Sequence, residues 1–292
     1  MKELVILSGK GGTGKTSITG ALAYLAPNKV LADCDVDAAN LHLIAQGEEL
    51  KQEKFYAGFE PSINFDLCTK CGICTNLCRF KAIENGKITN SLNCEGCAVC
   101  AFNCPSKAIK MLDKQAGDWL ISNTRYGLMV HAKLGLAVEN SGKLVAKVRA
   151  EARNLAETKD IPLVIIDGPP GIGCPTIAAL SGAHMVLTVV EPSLSSMHDI
   201  ERLTKLIKHF NIPQALCINK ASINLDNVKT IIDWCEKNEI PIVGQFDYNK
   251  VFYRAIQEGR TITEMDDKEI NKEAAAMWSK IKSILELPDY NS

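Results

Sequence analysis

Gly9-Lys10-Gly11-Gly12-Thr13-Gly14-Lys15-Thr16 is the stretch on which the fold turns. It follows the apolar run Leu4-Val5-Ile6-Leu7, which reads as a strand, and it opens a helix over residues 15–26 that Pro27 stops. The eight residues fit the pattern G-x-x-x-x-G-K-[ST]. Glycines let successive backbone N–H groups converge on phosphate oxygens. The helix N-terminus adds a partial positive charge of ~0.5. Lys15 is placed to reach β/γ-phosphates, and the Thr16 hydroxyl is placed to bind Mg²⁺. Gly9, Gly11, Gly12, Thr13, Gly14 and Ser17 complete the expected cradle.

A rival reading uses the same glycines. Gly9, Gly11 and Gly14 satisfy G-x-G-x-x-G, and Asp33 lies about 20 residues on, where a dinucleotide fold places its ribose acid. Lys15-Thr16 has no role in that fold. A second acid, Asp167, ends the strand-like run Leu163-Val164-Ile165-Ile166, where a P-loop protein needs one. The P-loop reading therefore stands. Further short apolar runs at residues 29–33, 184–190, 214–218 and 241–246 alternate with helical patterns at 141–158, 195–210, 224–237 and 268–285. Residues 119–122 and 127–131 suit a hairpin. Alternation of this kind predicts an α/β fold, a mostly parallel sheet flanked by helices.

Lys10 within the glycine loop resembles the deviant Walker A motif of the MinD/ParA superfamily. Asp33-Cys34-Asp35 resembles that family's switch I, and Asp167-Gly168-Pro169-Pro170-Gly171 its Walker B and switch II. Asn219-Lys220 resembles its base-contacting segment, although an Asx turn would also explain Asn219. The resemblance implies an ATPase using ATP/ADP and Mg²⁺, acting as a homodimer. It implies that Lys10 reaches the partner's nucleotide, that Asp35 orients the attacking water, and that Asp167 supports Mg²⁺. Asp35 could instead cap a helix, and Asp33 could either back the metal or simply end a strand.

The alternation breaks where cysteines cluster. Eight of the twelve cysteines fall between Cys68 and Cys104. Cys68, Cys71, Cys74 and Cys78 recur as Cys94, Cys97, Cys100 and Cys104, a shift of 26 residues that also relates Lys81-Ala82-Ile83 to Lys107-Ala108-Ile109. This is the bacterial two-cluster ferredoxin spacing, in which the fourth cysteine of each run serves the other cluster. One [4Fe–4S] cluster would take Cys68, Cys71, Cys74 and Cys104, and the other Cys94, Cys97, Cys100 and Cys78. Arg79 stands where the second copy has Pro105, which weakens the turn signature without removing a ligand. Two Cys₄ zinc sites are the competing use of the same sulfurs. The expected organisation is an ATPase domain over 1–60 and 113–292, with a small α+β ferredoxin module inserted at 61–112. Cys174, just past switch II, is a packed thiol or a ligand to a bridging cluster. Cys34, Cys217 and Cys235 suit the core.

Composition narrows the partners. The net charge is −1, with 33 basic and 34 acidic residues. Such a balance gives no reason to expect nucleic acid or an anionic membrane. No apolar run approaches the ~18 residues that span a bilayer, no signal peptide opens the chain, and the tail from Ile281 is a poor amphipathic anchor. A cytoplasmic protein is expected. Three functions fit a P-loop ATPase joined to a ferredoxin: ATP-gated electron transfer to a donor or acceptor, cluster delivery to an apo iron–sulfur protein, and redox-sensing regulation in the MinD/ParA manner. The Mrp-type carriers' C-terminal C-x-x-C is missing here, which counts against delivery.

Overall fold

The computed structural model describes residues 1–85, 87–89, 91–135 and 141–288. The side chain of Ser141 and the last four residues of the expected tail lie outside the described residues. The strands are β1 (Lys2–Ser8), β2 (Lys29–Asp33), β3 (Gly47–Ile63), β4 (Ile83–Glu84), β5 (Lys87–Ile88), β6 (Ile109–Thr124), β7 (Gly127–Leu134), β8 (Leu163–Pro170), β9 (Met185–Val190), β10 (Gln214–Ile218) and β11 (Ile242–Gln245). The α-helices are α1 (Lys15–Leu25), α2 (Leu41–Ala45), α3 (Ile73–Leu77), α4 (Val99–Phe102), α5 (Ser141–Thr158), α6 (Cys174–Leu180), α7 (Ser196–His209), α8 (Leu225–Lys237), α9 (Lys250–Gln257) and α10 (Lys268–Ile284).

Among the described residues, nine strands form one sheet in the order β11-β10-β9-β1-β8-β2-β7-β6-β3. The strands from β11 to β7 run parallel. This is the α/β P-loop architecture expected from the alternation. Its central strands are continuous apolar runs because both faces are covered. β10 shows the division: Ala215 and Cys217 pack with α1 and α10 on one face, while Leu216 and Ile218 pack with α7 and α8 on the other. That alternation is the period-two geometry of a strand. Cys34, Cys217 and Cys235 are buried, as core thiols should be.

The chain divides into two compact units. The first comprises Met1–Gln52, Trp119–Ala132 and Gly142–Ser292; the second comprises Glu53–Asp118 with Lys133–Ser141. The second is thus wider than residues 61–112, because the long strands β3 and β6 contribute to it. The two-residue turn Arg125-Tyr126 makes β6 and β7 the expected hairpin, longer than the 119–122 and 127–131 pattern suggests. β3 has no counterpart in the sequence pattern. It lies at the sheet edge, and its first half, with Glu48, Glu49, Lys51, Glu53 and Lys54, is exposed without alternation. Charges of this kind keep an edge strand from pairing with other chains.

Within the second unit the sequence repeat is a backbone repeat. α3 starts after Gly72 (φ 76°) and α4 after Ala98 (φ 62°). Lys81 (φ 52°) and Lys107 (φ 51°) take the same left-handed turn. Both of those lysines donate backbone bonds to the carbonyl of the fourth cysteine in their run, Lys81 to Cys78 (3.2 Å) and Lys107 to Cys104 (3.1 Å).

Glu3 of β1 is fully buried and is bound by the guanidinium groups of Arg149 and Arg153 on α5, the latter at 2.6 Å. Arg149 also donates to the Ala178 (3.3 Å) and Ser181 carbonyls at the end of α6. One carboxylate therefore ties α5 to the sheet, and one arginine ties α6 to α5. Removing one partner leaves an uncompensated buried charge. Glu3→Ala is expected to lower the unfolding free energy in urea by ~3–5 kcal/mol, and Arg153→Ala, at a more exposed position, by clearly less.

Candidate functional site

The site lies along the C-terminal ends of the parallel strands, where open α/β sheets bind ligands. Five of the parallel strands deliver one part each: β1 the glycine loop, β2 Asp33 and Asp35, β8 Asp167, β9 Glu191, and β10 Asn219-Lys220. Gly12 (φ 80°) and Gly14 (φ 91°) take left-handed conformations that other residues enter at a cost. Gly14 carries a second constraint. A Cβ there would lie 2.2 Å from Asn219 Nδ2. That amide donates to the Thr13 carbonyl at 2.8 Å, so β10 braces the loop from behind. Asn219 Oδ1 accepts from the adjacent Lys220 N–H at 3.0 Å; the Ala221 N–H, which an Asx turn would use, goes to the Phe246 carbonyl instead.

Lys15 is buried and donates to Asp167 Oδ1 at 2.8 Å, with Asp35 Oδ2 at 3.4 Å. Thr16 Oγ1 donates to Asp167 Oδ2 at 2.8 Å, and Thr19 Oγ1 reaches Asp167 Oδ1 at 2.9 Å. Asp33 is fully buried and accepts from the N–H groups of Asp35 (3.2 Å) and Leu41 (3.1 Å). Three carboxylates thus crowd one ammonium. Burial works against the Lys15 charge, but Asp167, Asp35 and Asp33 outweigh it and hold its pKa above the ordinary lysine value. Burial, then the charge of Asp167, raises Asp33 from 3.8 to about 8. Burial also raises Asp35, against the pull of Lys15.

The residues present fit a magnesium nucleotide. Thr13 Oγ1 is buried without a hydrogen-bond partner, and positions Gly11 and Gly12 face open space. Thr16 Oγ1 and Asp167 Oδ2 form the hydroxyl–carboxylate pair that a P-loop uses for Mg²⁺. A cleft of about 510 Å³ runs from Gly12, Gly14 and Ser17 past Asn219 and Lys220 to Tyr248 and Tyr253. It has the size of a small-molecule site. Its aromatic wall, in the segment after β11, carries no motif in the sequence.

Lys10, in the same loop, is held by a different set of groups. Its Nζ lies 2.8 Å from Glu191 Oε1 and donates to Ser193 Oγ at 2.7 Å. Glu191 Oε2 takes Lys220 Nζ at 2.7 Å, and Lys220 also donates to the Gly12 carbonyl at 2.8 Å. The two lysines hold Glu191 below the usual carboxylate range although burial acts the other way. Glu191 is absent from the motif-based set. The available signal was its place just past a buried parallel strand, where the other site residues also sit.

In the second unit, Cys68, Cys71, Cys74 and Cys104 line one small cavity. The fourth thiol of the second run thus joins the first three of the first run. Cys94 and Cys97 are close enough to Cys100 to act, behind burial, on its raised pKa. Cys78 Sγ accepts from Ala82 N, and Cys104 Sγ from Ala108 N, both at 3.3 Å. Such N–H···S contacts suit sulfur that bears charge. Among the described residues, no three His, Cys, Asp or Glu groups form a single-ion site. Cys174 is exposed at the start of α6.

The family model for the CobQ/CobB/MinD/ParA nucleotide binding domain matches residues 4–262. The chain belongs to this family. It is 35% identical over 225 residues to an uncharacterized protein of Methanocaldococcus jannaschii, covering 76% of this chain and 79% of that one. The septum site-determining protein MinD complexed with Mg-ADP from Pyrococcus horikoshii superposes with a TM-score of 0.60 over 97% of this chain and 96% of that one, at 14% identity, and so shares the fold. A shorter match, 38% over 53 residues, links 18% of this chain to 65% of the pyruvate synthase subunit PorD of Methanothermobacter marburgensis. No helix among the described residues is long and apolar enough to cross a membrane.

Gly14→Ala should abolish detectable nucleotide binding in calorimetry while leaving the far-UV spectrum unchanged, because the added methyl group displaces the Asn219 brace. A raised acid pKa means that the folded state binds the extra proton between pH 3.8 and about 8. Folding stability measured without nucleotide should therefore fall as pH rises through that window. Asp33→Asn should flatten the fall, as read from urea midpoints.

Proposed function

We propose that the chain is a magnesium-dependent ATPase, active as a homodimer, that couples its nucleotide state to electron transfer through two [4Fe–4S] clusters. The observation that carries this reading is a pairing of two sites in one chain: a glycine loop whose Lys15 and Thr16 converge on Asp167, and a cysteine repeat in which Cys104 joins Cys68, Cys71 and Cys74 around one cavity. Mg²⁺ would neutralise phosphate charge between Thr16 and Asp167. Lys15 would hold the terminal phosphates, and the loop N–H groups would orient them. Asp35, beside Lys15, is placed to position a water. Asn219, Lys220 and the aromatic wall would take the base. Lys10 would supply a cation in trans, so that hydrolysis depends on the partner. Phosphoryl transfer is mostly positioning and charge neutralisation, which is the work this set of groups can do.

Cys68, Cys71, Cys74 and Cys104 would hold one cluster, and Cys94, Cys97, Cys100 and Cys78 the other. When bound, the clusters supply one-electron chemistry. Cys71 and Cys97 are exposed, which favours exchange with a soluble electron donor or acceptor. The chain passes from the segment bearing Asp33 and Asp35 through α2 directly into β3, whose later residues belong to the cysteine-bearing unit. A nucleotide-driven change at that segment has a covalent route to the repeat.

Anaerobically purified protein should contain about eight iron and eight sulfide per chain. Its reduced EPR spectrum should change on adding Mg-ATP. Cys104→Ala should lower iron by about half or more, and Lys10→Ala should abolish the dimer-dependent ATPase. Zinc in place of iron, or a spectrum indifferent to nucleotide with cluster transferred to an apo-protein, would rule out the electron-transfer reading.

A further inference from the structure

Lys10 is engaged within its own chain by groups that no motif announces. Glu191 and Ser193, in the turn between β9 and α7, hold its ammonium at 2.8 and 2.7 Å. The turn is itself fixed. Ser193 N and Ser196 Oγ both donate to the Glu191 carbonyl, and Ser193 N also donates to Ser196 Oγ at 3.0 Å. Glu191 uses its other carboxylate oxygen for Lys220, which is pinned in turn to the Gly12 carbonyl. A casual surface ion pair leaves one oxygen in water and its backbone free. Glu191 does neither, and its side chain is only 19% exposed.

We infer that Glu191 is a positioning residue that latches Lys10 in cis, so that a second copy of this chain must win the lysine from Glu191 and Ser193 before Lys10 can reach its nucleotide. The inference rests on the proposed action of Lys10 in trans and adds the group that restrains it. The shared carboxylate explains why the latch can open. When Lys10 leaves, Glu191 still faces Lys220 at 2.7 Å and is not stranded as an unpaired, partly buried charge. The restraint is thus one partly exposed ion pair and one hydrogen bond from the ammonium to a neutral hydroxyl. It is enough to delay dimerisation at low protein concentration and too little to forbid it.

The test uses full-length, anaerobically purified protein with Mg-ATP, and reads specific ATPase rate and sedimentation against protein concentration. Glu191→Gln weakens the grip on both lysines. Ser193→Ala removes a bond from Lys10 and leaves Lys220 untouched. Both variants should reach half-maximal rate and half-maximal dimer at about three- to fivefold lower protein concentration than the parent chain. In a Lys10→Ala background neither substitution should increase dimer, because nothing remains to release. Unchanged midpoints in both variants, or an equal gain without Lys10, overturns the latch. If Lys10→Ala alone hydrolyses ATP like the parent chain, the trans role falls first and the latch with it. If Lys10→Ala is inactive while both latch variants match the parent chain, only the latch falls.

Discussion

Three carboxylates along two neighbouring strands and the segment after β2 crowd one ammonium, and the site is built around that imbalance. β2 and β8 are hydrogen-bonded partners with Asp33 opposite Asp167 in register. No apolar core would gather such acids spontaneously, since each buried carboxylate works against its own ionisation. The cluster holds together because Lys15 is buried with it, because Thr16 and Thr19 donate to Asp167, and because Asp33 accepts two backbone N–H groups. A second cation beside Asp167 would relieve the same imbalance further. The carboxylates of the site thus suit an added cation, which is the electrostatic ground for the magnesium nucleotide proposed above.

Much of this could be read directly from residues. A glycine loop between an apolar strand and a helix has one chemical use when Lys-Thr follows it, and short continuous apolar runs with intervening helical periods imply a parallel sheet. The parts that escaped share a physical cause. β3 is a polar edge strand, so no alternation marks it. α2, α6 and α9 are short, and tertiary contacts hold them. Glu191, Ser193 and the tyrosines of the cleft act through positions that only the sheet topology brings to the loop. A motif records residues that meet along the chain, and these meet across it.

The second unit behaves differently. There the spacing carries nearly everything, because the chain turns at fixed intervals around its sulfurs rather than around a large apolar core. Left-handed Lys81 and Lys107, the short helices after Gly72 and Ala98, and the paired N–H···S contacts recur at one interval. A lysine in that conformation costs of order 1 kcal/mol or more, and the same strain at both sites means that the turn geometry matters more than the local preference of either residue.

The placement of Cys104 beside Cys68, Cys71 and Cys74 has a consequence for biosynthesis. Cysteines of both copies line that cavity, so neither copy alone completes it. Ribosomes extend chains at ~5–20 residues per second. The leading trio of thiols therefore emerges seconds before its closing partner exists, and loop closure over that separation comes last. During this interval the first three thiols would stand open, without the fourth that the proposed cluster needs. On the cluster ligation proposed above, synthesis is therefore the stage at which these thiols would be most open to oxidants and metals.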